Sequence, residues 1–222
     1  MSGKSAGDGY EILSIDDLER LPTTQGSQLL LPLRRTVGFR PFGVNVWVGA
    51  QPGDHVIERH REQDGHEELY VVLRGTAQFT LGDDTFEAAP GTLVHAPPGT
   101  LREATALTAE TTVLALGAKS GEAFTPSAWE DFYVAYAYAR RGEPERGRAA
   151  MQAALDREPT AWQGSYNAAC FEALVGETDA ALEHLRRAVE RDRAAVLQYA
   201  PEDTDLDSIR EDPRFSEILE TR

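Results

Sequence analysis

The chain of 222 residues has one cysteine, Cys170, and only 22 Lys+Arg against 37 Asp+Glu. A single thiol excludes an intramolecular disulfide framework and a Cys-rich zinc site. The shortage of basic residues leaves a net charge of −15, a field that repels polyanions and argues against nucleic acid and anionic membranes as partners. Long apolar runs are also missing. The longest candidate, Leu69 to Leu73, is strand-sized, far short of the roughly 18 residues a membrane span needs. The amino-terminal stretch MSGKSAGDGYEILSIDDLER lacks the apolar core of a signal peptide. These absences lead to the expectation of a soluble, cytoplasmic protein with no nucleic-acid or membrane partner. With 41% apolar residues the chain is too hydrophobic to be disordered, and its length suits one large domain or two small ones.

What is present changes character near residue 120. Upstream, short apolar runs stand at 29–33 (LLLPL), 44–48 (VNVWV), 67–73 (EELYVVL), 77–81 (AQFTL), 92–94 (TLV) and 111–117 (TTVLALG). Between them lie the turn signals Gln51-Pro52-Gly53-Asp54, Asp64-Gly65, Leu81-Gly82-Asp83-Asp84, Pro90-Gly91 and Pro97-Pro98-Gly99. Short strands punctuated this way predict a β-sandwich or barrel. One short helix is expected at Ile15–Arg20, after a Ser14 cap. The segment 119–126 (KSGEAFTP) reads as a linker.

Downstream the pattern is helical and Ala-rich, and it repeats. An offset of 34 residues pairs Gly142 with Gly176, Ala135 with Ala169, Met151 with Leu185, Ala154 with Ala188 and Pro159 with Arg193. Small residues where two helices touch, and a glycine at each turn, are what a helix–turn–helix unit of this period requires. This half resembles tetratricopeptide repeats, with Gly147 where an alanine is usual. The tail from Tyr199 to Leu219 resembles the terminal segment that follows such repeats, with Leu206, Ile209, Phe215 and Leu219 expected to dock as a cap. Trp129, Phe132, Tyr133 and Tyr136 share one helical stripe, with Tyr138 close by, and are expected to pack inward. The helical half carries 12 basic and 21 acidic residues, so most of the acidity lies there.

In the first half, GDHVIERHREQDGHEELYVVLRG, from Gly53 to Gly75, resembles the first motif of the cupin superfamily, with Glu68 and Gly75 at the family separation. PGTLVHAPPGTLRE matches the second motif at Gly91, Pro97 and Gly99. The resemblance covers residues 27–118 and implies a double-sheet jelly-roll barrel, often dimeric, that holds a metal or a small ligand. Known members include isomerases, dioxygenases, storage proteins and sugar-sensing domains, so the fold alone does not give a function. The expected organisation is an N-terminal segment 1–26, a cupin barrel 27–118, a linker 119–126 and a tetratricopeptide-like all-α domain 127–222.

The resemblance implies a metal held by two His and a Glu of the first motif and a His of the second. This chain departs from that set. Arg102 stands at the second-motif His position, and His60 and Glu62 have the paired-His spacing but are displaced into a longer turn. His66 precedes Glu68 by two residues and so shares its strand face, which Tyr70 and Val72 continue inward. Three readings stay open. His60, Glu62, His66 and Glu68 hold one divalent metal (Zn, Mn, Fe or Ni), as in a metal-dependent isomerase or dioxygenase. Alternatively, Arg102 replaces the metal and pairs with Glu68, so that Arg102, Glu68, Tyr70, His60 and His66 line a pocket for a small polar or anionic ligand. Or the groups form a satisfied structural network.

His55 is expected to face solvent in a turn, His95 to pack, His184 to lie on a solvated helix face, and Cys170 to be a small core residue. No nucleophile elbow and no phosphate-binding loop is recognisable. The favoured expectation is a non-catalytic ligand-binding or regulatory module whose repeats mediate protein association, with a homodimer as the assembly.

Overall fold

The computed structural model describes the chain except residues 1–4, 8–9, 24–26, 63–64, 127 and 221–222. Asp64 of the expected Asp64-Gly65 turn and part of the glycine-rich amino terminus therefore lie outside the described residues. The chain divides into two compact units, Met1–Pro126 and Ser127–Arg222.

The first unit is built of strands. A small ribbon pairs β1 (Ser5–Gly7) with β2 (Tyr10–Ile12). Next come β3 (Leu21–Pro22), β4 (Gln28–Leu31), a one-turn helix α1 (Leu33–Val37), β5 (Gly43–Gly49), β6 (His55–Arg61), β7 (His66–Arg74) and β8 (Ala77–Leu81). The unit closes with β9 (Asp84–Ala88), β10 (Leu93–Ala96), β11 (Leu101–Ala106) and β12 (Thr111–Lys119). One sheet has the order β10-β7-β12-β5-β4-β3, the other β6-β11-β8-β9. The core between them takes Tyr70 and Val72 from β7, Phe79 from β8, Val94 from β10, Ala104 and Ala106 from β11 and Val113 from β12.

Strand alternation gives the larger sheet a second apolar face. Val46 and Val48 of β5 turn away from the barrel and pack with Leu31 and Leu18, while Trp47 between them faces the first core. The amino-terminal segment covers this face. Leu13, Ile15 and Leu18 lie on it, and ion pairs Asp16–Arg74 and Arg20–Glu110 pin the ends of the stretch. Leu13 to Arg20, within the segment expected to precede the barrel, thus contribute to its packing. The helix expected at Ile15–Arg20 is a single 3-10 turn, Ile15–Asp17, with Ser14 and Asp17 forming a capping box.

β6, β9 and β11 have no apolar run to betray them, and neither do the short β1, β2 and β3. β6 (HVIERHR) carries polar residues at five of its seven positions, so its composition suggests a turn around His60 where the structure has a strand. Its pairing with β11 supplies the order that its composition hides. His55 accordingly opens a strand rather than a turn, and lies 3.5 Å from Glu103.

The second unit is all-helical: α2 (Trp129–Arg140), α3 (Pro144–Arg157), α4 (Trp162–Leu174), α5 (Thr178–Tyr199), α6 (Asp207–Arg210) and α7 (Pro213–Glu220). Gly142 and Gly176, between the helices of each hairpin, take φ of 74° and 84°, the left-handed region that glycine enters without strain. Ala135, Ala169, Ala154 and Ala188 are all sealed in the interface. α5 is broken at Asp192, whose φ of −151° interrupts it and whose Oδ1 accepts from Ala195 N to cap the second half of the helix. Of the aromatic stripe, Phe132 and Tyr136 are buried, but Trp129 is exposed and rests edge-on against Phe132. The tail docks through Leu206, Ile209, Phe215 and Ile218, one position before the expected Leu219. His184, expected in solvent, is half-buried with Nδ1 enclosed; burial and Arg187 hold its pKa below the ordinary value.

Candidate functional site

The two sheets bring their polar residues together at one end of the barrel. His60 on β6 and Arg102 on β11 are direct cross-strand partners in the smaller sheet, and Glu68 and Tyr70 share the inward face of β7 in the larger. Glu62 lies just beyond the end of β6. The ligand atoms of His60, Glu62 and Glu68 all lie within 4.8 Å of one another.

His60 is oriented from behind, since its Nδ1–H donates to Glu58 O at 2.7 Å. That bond fixes the ring so that Nε2 faces the carboxylates, 3.3 Å from Glu68 Oε2 and 3.6 Å from Glu62 Oε1. With Nδ1–H committed to Glu58 O, Nε2 and Glu68 Oε2 need a proton between them, and the hydrogen bond to Glu68 raises the His60 pKa.

Glu68 is the centre of the group. Its Oε2 accepts from the Tyr70 hydroxyl, faces His60 and lies 3.6 Å from Arg102 Nε. Burial alone would push its pKa up, but the bonds from His60 and Tyr70 and the charges of His60 and Arg102 outweigh it and hold the carboxyl below its usual range. Tyr70 is driven the other way, with burial first and the Glu68 charge next keeping its hydroxyl protonated.

Arg102 is the largest fully buried side chain among the described residues, with 0% exposed. Its Nη2 donates to Pro97 O at 2.9 Å and Ala96 O at 3.3 Å, which anchors the guanidinium to the end of β10 and the residue after it. Nη1 and Nε make no hydrogen bond among the described residues. Exposure falls across the site from His60 and Glu62, at 35% and 34% of the side chain, through Glu68 at 15%, to Arg102 at none. His60 and Glu62 are therefore the groups of the site most open to solvent, and Arg102 is closed off from it.

His66 does not join this group. It shares the face of Glu68, but an added Cβ at Gly117 of β12 would fall 3.1 Å from His66 Nε2 and 3.2 Å from Glu68 Cγ. Both side chains thus lie over the bare backbone of Gly117, a position that sequence reasoning does not single out; its one cue is a glycine inside a β-branched strand. His95 faces outward and pairs with Glu67 at 3.0 Å, away from Glu68.

Residues 46–116, about a third of the chain, match the family model of the cupin domain. No curated protein matches the sequence. Among solved structures, a cupin-superfamily sugar phosphate isomerase from Silicibacter pomeroyi is 22% identical, covering 49% of this chain and 76% of that one, with a TM-score of 0.44. A putative sugar phosphate isomerase from Acidithiobacillus ferrooxidans is 26% identical over 40% of this chain and 58% of its own, with a TM-score of 0.37. An uncharacterised double-stranded β-helix protein from Klebsiella pneumoniae is 21% identical over 51% of this chain and 92% of its own, with a TM-score of 0.39. The family match falls on the strands that build the polar mouth of the barrel, and residues 46–116 are a cupin domain followed by an all-helical C-terminal region.

Proposed function

We propose that the cupin domain is a small-ligand-binding module that takes a neutral, hydroxyl-bearing ligand at the His60–Glu62–Glu68 mouth. The observation that carries this reading is the convergence of Tyr70, His60 and Arg102 on one oxygen, Glu68 Oε2. The second oxygen of Glu68 and the carboxylate of Glu62 remain to accept hydroxyl protons, while a protonated His60 can donate. Such charge-assisted bonds are about twice as strong as neutral ones. An anionic ligand is disfavoured here: Arg102 is sealed from the mouth, and the groups that line it carry two carboxylates.

A divalent metal, as family members hold, can be set against the same residues. Their spacing and the Nδ1 anchor of His60 favour it, because ligating imidazoles are oriented in this way. The charge balance does not. Arg102 is a fixed, buried positive charge beside Glu68 that a dication at the carboxylates would face, whereas a proton on His60 brings only a single charge. At an effective dielectric near 20, unit charges about 4 Å apart interact by about 4 kcal/mol, and a dication doubles the repulsion from Arg102. The set does not fit a resident dication, and the metal-dependent isomerase or dioxygenase remains the second reading on the strength of the spacing alone.

The helical region is proposed to be of tetratricopeptide type and to serve protein association, within a homodimer or with another protein. Support comes from α3 and the first half of α5, whose starting residues differ by 34 positions, and from the paired Gly142/Gly176 turns. Thermal-shift titration of the whole protein with glucose, myo-inositol and glycerol tests the ligand reading. Stabilisation lost in Glu62→Gln supports it, and no shift with any polyol overturns it. Deleting 121–222 and measuring mass by light scattering tests the association reading, which an unchanged oligomeric state and unchanged partners would sink.

A further inference from the structure

Arg102 has an uncommon setting: a permanent cation with no exposed surface, whose Nη1 has no hydrogen-bond partner among the described residues. Arginine at such a site is normally held by a bidentate carboxylate. Here Glu68 lies 3.6 Å from Nε, beyond hydrogen-bond distance, while two backbone carbonyls hold Nη2. The guanidinium is thus fixed by the main chain rather than by its ionic partner. It stays behind Glu68 whatever occupies the mouth.

A cation fixed in this way does to Glu68 what a bound metal would do. It neutralises the carboxylate, lowers the gain from any second cation, and does so without using a ligand position at the mouth. Tyr70 reinforces it by occupying Oε2 with a hydroxyl proton.

We infer that Arg102 is the specificity-determining residue of this site: it acts as a built-in counter-cation for Glu68, excluding divalent metals and leaving the mouth to hydroxyl-bearing ligands. Arg102 touches no ligand and works through Glu68, so it is a positioning residue. The inference rests on the reading of the mouth as a ligand site and assigns its selectivity to one buried charge.

The test uses the full chain without an affinity tag. Calorimetric titration with MnCl2, NiCl2 and ZnCl2 is run on the wild type and on Arg102→Gln and Arg102→Lys, with circular dichroism to check folding. Broadening of the His60 ring resonances by Mn2+ locates the metal. The wild type and Arg102→Lys should show no one-site binding at His60 up to about 1 mM metal, whereas Arg102→Gln should bind at least about tenfold tighter. Adding Glu68→Gln to Arg102→Gln should abolish the gain. Stoichiometric metal in the wild type, with the His60 ring resonances broadened by Mn2+, would overturn the inference whether or not the variants fold. So would an equal gain in Arg102→Lys and Arg102→Gln, since space and not charge would then decide. The polyol titration fails separately: absence of any polyol shift with metal exclusion intact counts against the ligand reading alone.

Discussion

Gly147 of α3 sits against Phe171 of α4 so closely that a Cβ at 147 would lie 2.6 Å from Phe171 Cε2 and 2.9 Å from the Ala135 carbonyl oxygen. The ring could tilt, but the backbone oxygen on α2 cannot yield cheaply. This contact explains why glycine stands where the repeat pattern has alanine. An exposed helix would gain about 1 kcal/mol from Gly→Ala. Here Gly147→Ala should instead destabilise the helical unit by about 1–3 kcal/mol, the cost of overpacking. Urea denaturation followed by far-UV circular dichroism reads the difference, and stabilisation would refute the close packing of the three helices.

Removing one charge from the barrel pair should cost more than removing both. Glu68→Gln leaves Arg102 buried without its counter-charge and should destabilise the barrel by about 3 kcal/mol. Arg102→Met combined with Glu68→Gln should recover much of that loss. A double-mutant cycle in guanidinium chloride measures it; purely additive effects would mean that the two residues are not coupled.

The imidazole of His60 gives the barrel a pH signature. Its folded pKa is raised, chiefly by the hydrogen bond to Glu68, so the fold binds a proton more tightly than the unfolded chain does. The resulting stabilisation is complete below the ordinary histidine value of about 6.5 and is lost as pH rises through the folded value. Thermal melts between pH 5 and 9, where ordinary carboxylates are largely ionised, should therefore show a decline on the alkaline side that His60→Gln flattens. The same decline in the variant would assign it to another group.

Cys170 should behave as a core residue. It is 2% exposed, its Sγ lies 3.8 Å from Asp203 Oδ2, and burial, followed by Asp203 and Asp205, pushes the thiol pKa well above its usual value. Thiolate is the reactive form. Native protein should react with a disulfide reagent at least about a hundredfold more slowly than denatured protein, with the rate reporting local opening of α4. Rapid native labelling would show that this helix opens readily.

Elements with their own hydrophobic signature are legible in the sequence. β5, β7, β8 and β12 coincide with apolar runs, and Tyr70 and Val72 face inward as alternation along β7 requires. The paired alanines and glycines place both helical hairpins, because a close helix crossing admits only small side chains. β6 and β11 escape notice because their order comes from pairing with each other, and composition does not report a partner distant in sequence. The site is half legible for the same reason. Glu68 and Arg102 follow from motif position and Tyr70 from strand alternation. His60 looks like a turn residue, and His66 looks like its companion because both precede Glu68 closely.

The acidic charge, the division into a strand-rich half and a helical half, and the residue types available at the barrel mouth are all written in the sequence. They are properties of composition and local periodicity, and they survive without any long-range contact. Which of those residues meet is a matter for the folded molecule alone. Folding sets His60 against Glu68 across two sheets, leaves His66 over Gly117, and closes Arg102 off from solvent behind a carboxylate. Distances between strands far apart in the chain are set by sheet pairing, and the chemistry of a charged group depends on what that pairing places beside it.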